Sequence, residues 1–64
     1  MNQIRSYTRY IDGYRVTFTW YPNARLWGAI IHGNRGMLPG ADGPTYQIAE
    51  RNTRALIRKS KPFN

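Results

Sequence analysis

The dipeptide Asp12-Gly13 lies between two segments rich in residues that favour β-strands, SYTRYI before it and YRVTFTWY after it. Both positions of a two-residue type I′ turn need a positive φ, and Asp-Gly is one of the few pairs that adopts this conformation readily. We therefore predict a β-hairpin in which residues 4–11 pair with residues 14–21. Such a turn constrains the fold strongly, because it sets the register of two strands at once.

A second turn is predicted at Tyr21-Pro22-Asn23-Ala24, where the proline presets φ at the second position. The chain would then return as a third strand over residues 25–32. Alternation with period two predicts that one face of this sheet is apolar almost throughout. The pairs expected on that face are Trp20–Arg25, Phe18–Trp27, Val16–Ala29 and Tyr14–Ile31.

Residues 33–44 contain four glycines and two prolines, so an irregular loop is predicted there. A helix is expected to follow, with Asp42 or Thr45 as its N-cap, and to end before Pro62. The predicted fold class is α+β: a three-stranded antiparallel β-meander followed by one C-terminal α-helix packed on the sheet, in a single domain of residues 1–64. The helix residues expected to pack on the sheet are Tyr46, Ala49, Thr53, Leu56 and Ile57.

The length of the chain limits its core. A chain of 64 residues buries only about 60% of its unfolded surface. The absence of cysteine and the single histidine exclude a disulfide scaffold and a structural zinc site, and we expect no cofactor. Homo-oligomerisation is a further route to stability that the sequence leaves open. The core is expected to come from the aromatic residues Tyr7, Tyr10, Tyr14, Phe18, Trp20, Tyr21, Trp27, Tyr46 and Phe63.

The chain is strongly basic, with ten Lys and Arg against three Asp and Glu and a formal net charge of +7. A polyanion would relieve the resulting self-repulsion. Eight of the ten cations are arginine, which binds phosphate and carboxylate through a planar fork. These features predict nucleic acid or an acidic protein surface as the partner. The chain has neither an apolar run of about 18 residues nor an apolar signal-peptide segment, so a cytoplasmic protein without membrane contact is expected.

The densest charge lies in the predicted helix, where RNTRALIRKSK holds five of the ten cations and no acid. Most of these cations recur along one flank of the helix, beside its apolar side. Arg54 and Arg58 repel each other one turn apart, Glu50 offsets this for Arg54, and a phosphate would reverse it. A solvated helix face is the alternative interpretation. The residues predicted to bind nucleic acid are Arg15, Arg35, Arg51, Arg54, Arg58, Lys59 and Lys61.

Two further features suit nucleic acid. The loop Gly33-Asn34-Arg35-Gly36 resembles the GxxG loop of KH domains, which implies a phosphate clamp with Arg35 as its cation. It follows a strand instead of joining two helices, which excludes a KH fold and makes a flexible connector the alternative. The open face of the sheet is expected to carry hydroxyls and tyrosines that suit phosphate and base edges, or to be an ordinary solvent face. Its expected residues are Ser6, Thr8, Tyr10, Arg15, Thr17, Thr19 and Tyr21.

His32 is the only histidine, and nothing in the sequence ties one of the three carboxylates to it. General acid–base chemistry usually needs a second group within hydrogen-bond reach. A structural histidine at a strand end is therefore favoured, and no enzymatic activity is predicted. The chain also resembles some small ribonuclease toxins in size, charge and strand-plus-helix class. That resemblance implies a ribonuclease relying on His32 as an alternative, although those domains begin with a helix that is not predicted here.

The segment ADGPTYQIAERNTRALI carries the pattern AxxNxRxL at Ala49, Asn52, Arg54 and Leu56. It resembles the helix found near the end of many short phage and prophage accessory proteins, which implies a mobile-element origin and a host cytoplasm. The order of three strands and a helix resembles the DNA-binding domains of integrase arms and AP2 factors. We therefore expect a non-enzymatic nucleic-acid-binding accessory protein. The alternative is a small phage-type protein that binds and inhibits a host protein.

Overall fold

The computed structural model describes residues 5–33 and 36–60, apart from the side chain of Ser60. The strands form one antiparallel sheet in the order β1-β2-β3-β4. The predicted α+β class, with an antiparallel sheet and one C-terminal helix, is confirmed, but the described residues form four strands and not three. The elements are β1 (Ser6–Ile11), β2 (Tyr14–Tyr21), β3 (Leu26–Gly33), β4 (Gly36–Pro39) and α1 (Tyr46–Ser60).

The hairpin between β1 and β2 forms as predicted. Asp12 and Gly13 have φ values of 50° and 87°, as a type I′ turn requires, and the strands pair from Ile11 opposite Tyr14 outward. This register puts Ile11 in the core, where it is almost completely buried. Arg9 is turned to the same side but stays exposed, and its Nε donates a hydrogen bond to a tyrosine hydroxyl of α1 at 3.0 Å. Because β1 is the first strand in the order of the sheet, the Arg9 side chain can pack at the margin of the core and remain exposed.

The register between β2 and β3 differs from the prediction by two residues. The connection between the strands spans residues 22–25 instead of the predicted 21–24, and it ends on Arg25 in the left-handed region, with φ of 54°. Because the displacement is an even number, the same side chains still face the helix, and the predicted apolar face is correct. The observed pairs are Trp20–Trp27, Phe18–Ala29 and Val16–Ile31, in place of Trp20–Arg25, Phe18–Trp27, Val16–Ala29 and Tyr14–Ile31.

The fourth strand lies inside the segment that was predicted to be an irregular loop. Residues 36–39 pair with β3, from Gly33 opposite Gly36 to Ile30 opposite Pro39. An edge strand bonds to a neighbour on one side only, so a proline at its last position is tolerated. Gly36 has φ of 119°, which a glycine adopts without strain. The glycines and prolines that argued against a strand are therefore compatible with a short edge strand.

Residues 40–45 connect β4 to the helix, and the first four of them stay close to β3. The N–H of Gly40 donates to the carbonyl of Ala29 at 2.8 Å. Gly43 and Trp27 exchange two backbone hydrogen bonds, of 2.8 and 3.0 Å. A Cβ at Gly43 would lie 2.6 Å from the backbone nitrogen of Ala49. A glycine is therefore needed where the first turn of the helix rests on this segment.

The helix is capped by Thr45, one of the two predicted residues, whose hydroxyl accepts a hydrogen bond from the N–H three residues on at 3.2 Å. Polar contacts then fix the helix to the segment before it. Thr53 is fully buried, and its Oγ1 accepts from the N–H of Ala41 at 3.0 Å and donates to the carbonyl of Ala41 at 3.2 Å. The Asn52 side chain donates to the carbonyl of Asp42 at 3.1 Å.

The core between the sheet and α1 is mainly aliphatic, so the predicted aromatic core is confirmed only in part. Phe18 is buried in it, and three partly buried aromatic side chains pack against it: Tyr14, Trp27 and Tyr46. Strand alternation sends Tyr10 and Tyr21 to the open face, and Phe63 lies outside the described residues. Other rings gather at one end of the core, where Tyr46 meets Phe18 and Trp27 edge-on at centroid distances of 5.0 and 5.6 Å. The buried hydrophobic residues are Ile11, Val16, Phe18, Ala29, Ile31, Ala49 and Ile57.

Candidate nucleic-acid interface

Three cations of α1 lie on the side of the helix that is turned away from the sheet. The buried residues Ala49, Thr53 and Ile57 hold the opposite side against the strands. The exposed cations therefore lie opposite the core. The prediction that they lie beside the apolar side of the helix was wrong. We define the outer helix face as the five exposed residues among the described side chains of α1: Gln47, Arg51, Ala55, Arg58 and Lys59.

Arg54 lies at the margin of this face and is engaged within the protein. Its guanidinium donates to Oε2 of Glu50 at 2.8 Å, one turn earlier in the helix. This hydrogen bond, helped by one from the Tyr46 hydroxyl, lowers the pKa of Glu50. Burial raises the pKa of Tyr46, although the hydrogen bond from Arg9 acts in the opposite direction. The predicted compensation of Arg54 by Glu50 is confirmed, and it makes Arg54 a poor candidate for binding a partner.

Arg58 makes a looser contact. Its Nε lies 3.6 Å from Oδ2 of Asp12, and the two side chains are 66% and 43% exposed. Exposed pairs of this kind contribute only about 0–1 kcal/mol, so an external phosphate can compete for Arg58. The contact also locates the last turns of α1 beside the Asp12-Gly13 turn.

Arg51 and Lys59 have no hydrogen-bond or ion-pair partner among residues 5–33 and 36–60. Their charges are therefore uncompensated by the described part of the protein. Two other predicted site residues, Lys61 and Arg35, lie outside the described residues, and so does residue 34 of the GxxG-like loop.

Arg15 lies on the other side of the molecule, on the face of the sheet that α1 does not cover. The cross-strand pairs Ser6–Thr19, Thr8–Thr17 and Tyr10–Arg15 show that the predicted residues of β1 and β2 share this face. The five predicted cations that the structure describes therefore do not form one surface. We define the open sheet face as Ser6, Thr8, Tyr10, Arg15, Thr17, Thr19, Tyr21, Leu26, Gly28, Ile30, His32, Met37 and Pro39.

One row of the open sheet face crosses all four strands, because Tyr10 pairs with Arg15, Arg15 with His32, and His32 with Met37. The first three residues of this row line a shallow concavity of about 310 Å³. The residues that line it are Tyr10, Gly13, Arg15, His32 and Gly33. Met37 was not predicted to lie on this face, because no strand was expected over residues 36–39. His32 was identifiable as the only histidine of the sequence, but only the register shows which side chains surround it.

His32 is half-buried on this face. Its Nε2 and the hydroxyl of Thr17 are 3.0 Å apart and share a hydrogen bond. In the described part of the chain, no carboxylate bonds to the ring, and no group of three or more His, Asp or Glu side chains could hold a metal ion. The contact with Thr17 orients the imidazole and is what a histidine with a structural role would make.

Comparison of the chain with protein-family models, with curated protein sequences and with solved structures found no match. The resemblances to phage accessory proteins and to integrase-arm and AP2 domains therefore stay predictions. The described helix is too short and too polar to cross a bilayer. The candidate functional surfaces of the protein are the outer helix face and the open sheet face.

Proposed function

We propose that this protein binds nucleic acid without catalysing a reaction, and that the outer helix face contacts the phosphates. The observation that carries the proposal is the pair of exposed cations, Arg51 and Lys59, that no described residue neutralises. Arg58 joins them on a face that contains no carboxylate. A docked helix holds all three in a fixed arrangement, so binding a phosphate backbone would not require the site to order first.

The electrostatics of the whole chain support the same partner. With a net charge of +7, each cation that meets a phosphate removes repulsion from the folded protein. Binding to a duplex should weaken with salt at a slope of about −0.9 per neutralised phosphate, so three contacts predict a slope of about −3 in log–log form. An acidic protein surface could also attract these cations, but it releases no condensed counterions and should not give this slope.

The AxxNxRxL pattern adds a biological setting to the proposal. A phage or mobile-element accessory protein would act in the cytoplasm of its host, where nucleic acid is abundant. The alternative is that the chain binds and inhibits a host protein. In that case a single host protein would remain bound after nuclease treatment of a lysate, and the protein would not bind oligonucleotides.

The test removes two charges from the outer helix face and compares this with the removal of two charges elsewhere. Arg51→Gln with Lys59→Gln is expected to weaken binding to a labelled duplex and to lower the magnitude of the salt slope by about 2, as read by fluorescence anisotropy. The matched control, Arg5→Gln with Arg25→Gln, changes the net charge equally at exposed positions outside the helix. It is expected to keep most of the affinity.

Equal losses in the two double variants would show that only net charge matters and would refute the outer helix face as the site. No salt-dependent binding by the unmodified protein would refute nucleic-acid binding altogether. RNA incubated with the protein is expected to stay intact. Cleavage that disappears in His32→Ala would instead establish the ribonuclease alternative.

A further inference from the structure

We propose that the open sheet face binds an unpaired nucleotide near the Asp12-Gly13 turn, with the base stacked on Tyr10 and a phosphate on Arg15. The protein would therefore prefer single-stranded to duplex nucleic acid. This inference rests on the proposed function and names the class of nucleic acid that the protein selects. The relevant residues are on the face opposite to α1 and are not used by the outer helix face.

The geometry of one row carries the inference. Tyr10 is 72% exposed, so its ring is not part of the core. It lies directly opposite Arg15, which lies directly opposite His32 on the next strand. Neighbours across a sheet have Cβ atoms about 5 Å apart, so a ring, a guanidinium and an imidazole stand side by side. The concavity that they line, of about 310 Å³, is at the lower end of the size range of ligand pockets.

The chemistry of the row matches that of an unpaired nucleotide. Bases stack on exposed aromatic rings with little dependence on sequence, and a nearby cation holds the backbone. Arg15 has no partner among the described residues and can fork onto a phosphate. His32 is oriented through Nε2 by Thr17 at 3.0 Å, which leaves Nδ1 for the ligand. In a duplex the faces of the bases are covered by stacking, so a duplex can offer this row only its phosphates.

The distribution of the three carboxylates favours an anion at this row. Asp12 is directed to Arg58 on the helix side, and Glu50 is bonded to Arg54. The Asp42 carboxylate lies near Gly28, toward the opposite end of the open sheet face, 3.7 Å from where a Cβ would stand. None of them neutralises Arg15.

The two proposed surfaces meet at one end of the molecule. Arg58 of the outer helix face approaches Asp12, while the next residue, Gly13, lines the concavity on the other side of the sheet. A single strand is flexible enough to follow this turn from one face to the other. A duplex, with a persistence length of about 50 nm, cannot bend around a hairpin tip. Simultaneous contact with both surfaces therefore also selects a single strand.

The experiment measures the affinity of the full chain for oligothymidylate and for a duplex of the same strand length, at one salt concentration. The unmodified protein is expected to bind the single strand more tightly. Tyr10→Ala is expected to weaken single-strand binding about 10-fold and to leave duplex binding unchanged. Tyr10→Phe keeps the ring and should retain the affinity. Tyr21→Ala controls for the loss of a tyrosine elsewhere on the same face. Because Tyr10 and Tyr21 are both exposed on the surface of the sheet, all these variants should fold, which thermal melting verifies.

Each contrary outcome points to a different failure. If Tyr10→Ala binds the single strand as well as the unmodified protein does, or if the duplex binds at least as tightly, the inference is wrong while phosphate binding by the outer helix face still stands. An open sheet face that docks a protein instead would give this same result. If neither oligonucleotide binds the unmodified protein, the proposed function fails, and the inference fails with it.

Discussion

Replacing Thr53 tests whether hydrogen bonds or packing hold the helix to the rest of the fold. Thr53 is fully buried and makes two hydrogen bonds with the backbone of Ala41, of 3.0 and 3.2 Å. Valine has nearly the same shape but removes both bonds. Serine keeps the hydroxyl and removes one methyl group. The two substitutions therefore separate the two contributions at one position.

The structure gives different magnitudes for the two changes. Each lost hydrogen bond costs about 1 kcal/mol, and a stranded partner group adds to that when water cannot reach it. Because Ala41 is half-buried, we expect Thr53→Val to lose about 2–3 kcal/mol. Thr53→Ser removes one buried methyl group and should lose about 1 kcal/mol. A chain of this length has about 3–10 kcal/mol in total, so Thr53→Val should lose a large part of the stability and Thr53→Ser a smaller part.

Urea denaturation followed by tryptophan fluorescence provides the measurement. Trp27 contacts Tyr46 of the helix at a ring-centroid distance of 5.6 Å, so its emission should report undocking of α1. With an m-value of about 1 kcal/mol/M, the midpoint of Thr53→Val should fall by about 2–3 M and that of Thr53→Ser by about 1 M. If Thr53→Val is as stable as Thr53→Ser, or more stable, packing alone holds the helix and the reasoning is refuted.

Two further predictions concern stability. Phe18→Ala should remove about 3–5 kcal/mol, because Phe18 is the one aromatic side chain fully buried in the described core, and circular dichroism should show a largely unfolded protein. Unchanged melting would contradict its central position. The pKa of Glu50 is lowered in the folded state, chiefly by Arg54, so this contribution is present above the ordinary carboxyl value of 4.5 and is lost as the pH falls through the lowered pKa. Melting temperatures measured from neutral pH into acid should therefore fall less steeply for Glu50→Gln than for the unmodified protein. Parallel curves would show that the pair of Glu50 and Arg54 does not contribute to stability.

Local chemistry in the sequence was enough to predict the first hairpin and the sides of the sheet and helix that form the core. Asp12-Gly13 has few alternative conformations, and periodicity decides which side chains share a face. Periodicity cannot distinguish registers that differ by two residues, since both bury the same side chains. That choice depended on the connection 22–25 and on Arg25, a residue type that gives no signal for a left-handed conformation.

The fourth strand and the candidate site were harder to predict for a related reason. Residues 36–39 become a strand because β3 offers them an unpaired edge, and strand propensity depends on such context more than on composition. The basic residues of the helix were identifiable, but their availability was not. Arg54 and Arg51 look alike in the sequence, and only the fold shows that one is bonded to Glu50 while the other has no described partner. The position of Arg15 on the opposite surface likewise depends on the sheet.

The order β1-β2-β3-β4 has a kinetic meaning, because each strand pairs only with its neighbours along the chain. Short connections make every one of these pairings inexpensive in loop-closure entropy, so the sheet can assemble from one hairpin to the next. The contacts of α1 with β2 join residues far apart in the chain, as between Tyr46 and Phe18. We therefore expect the helix to dock late. Thr53→Val should then speed unfolding and leave the refolding rate nearly unchanged, because its hydrogen bonds form after the rate-limiting barrier.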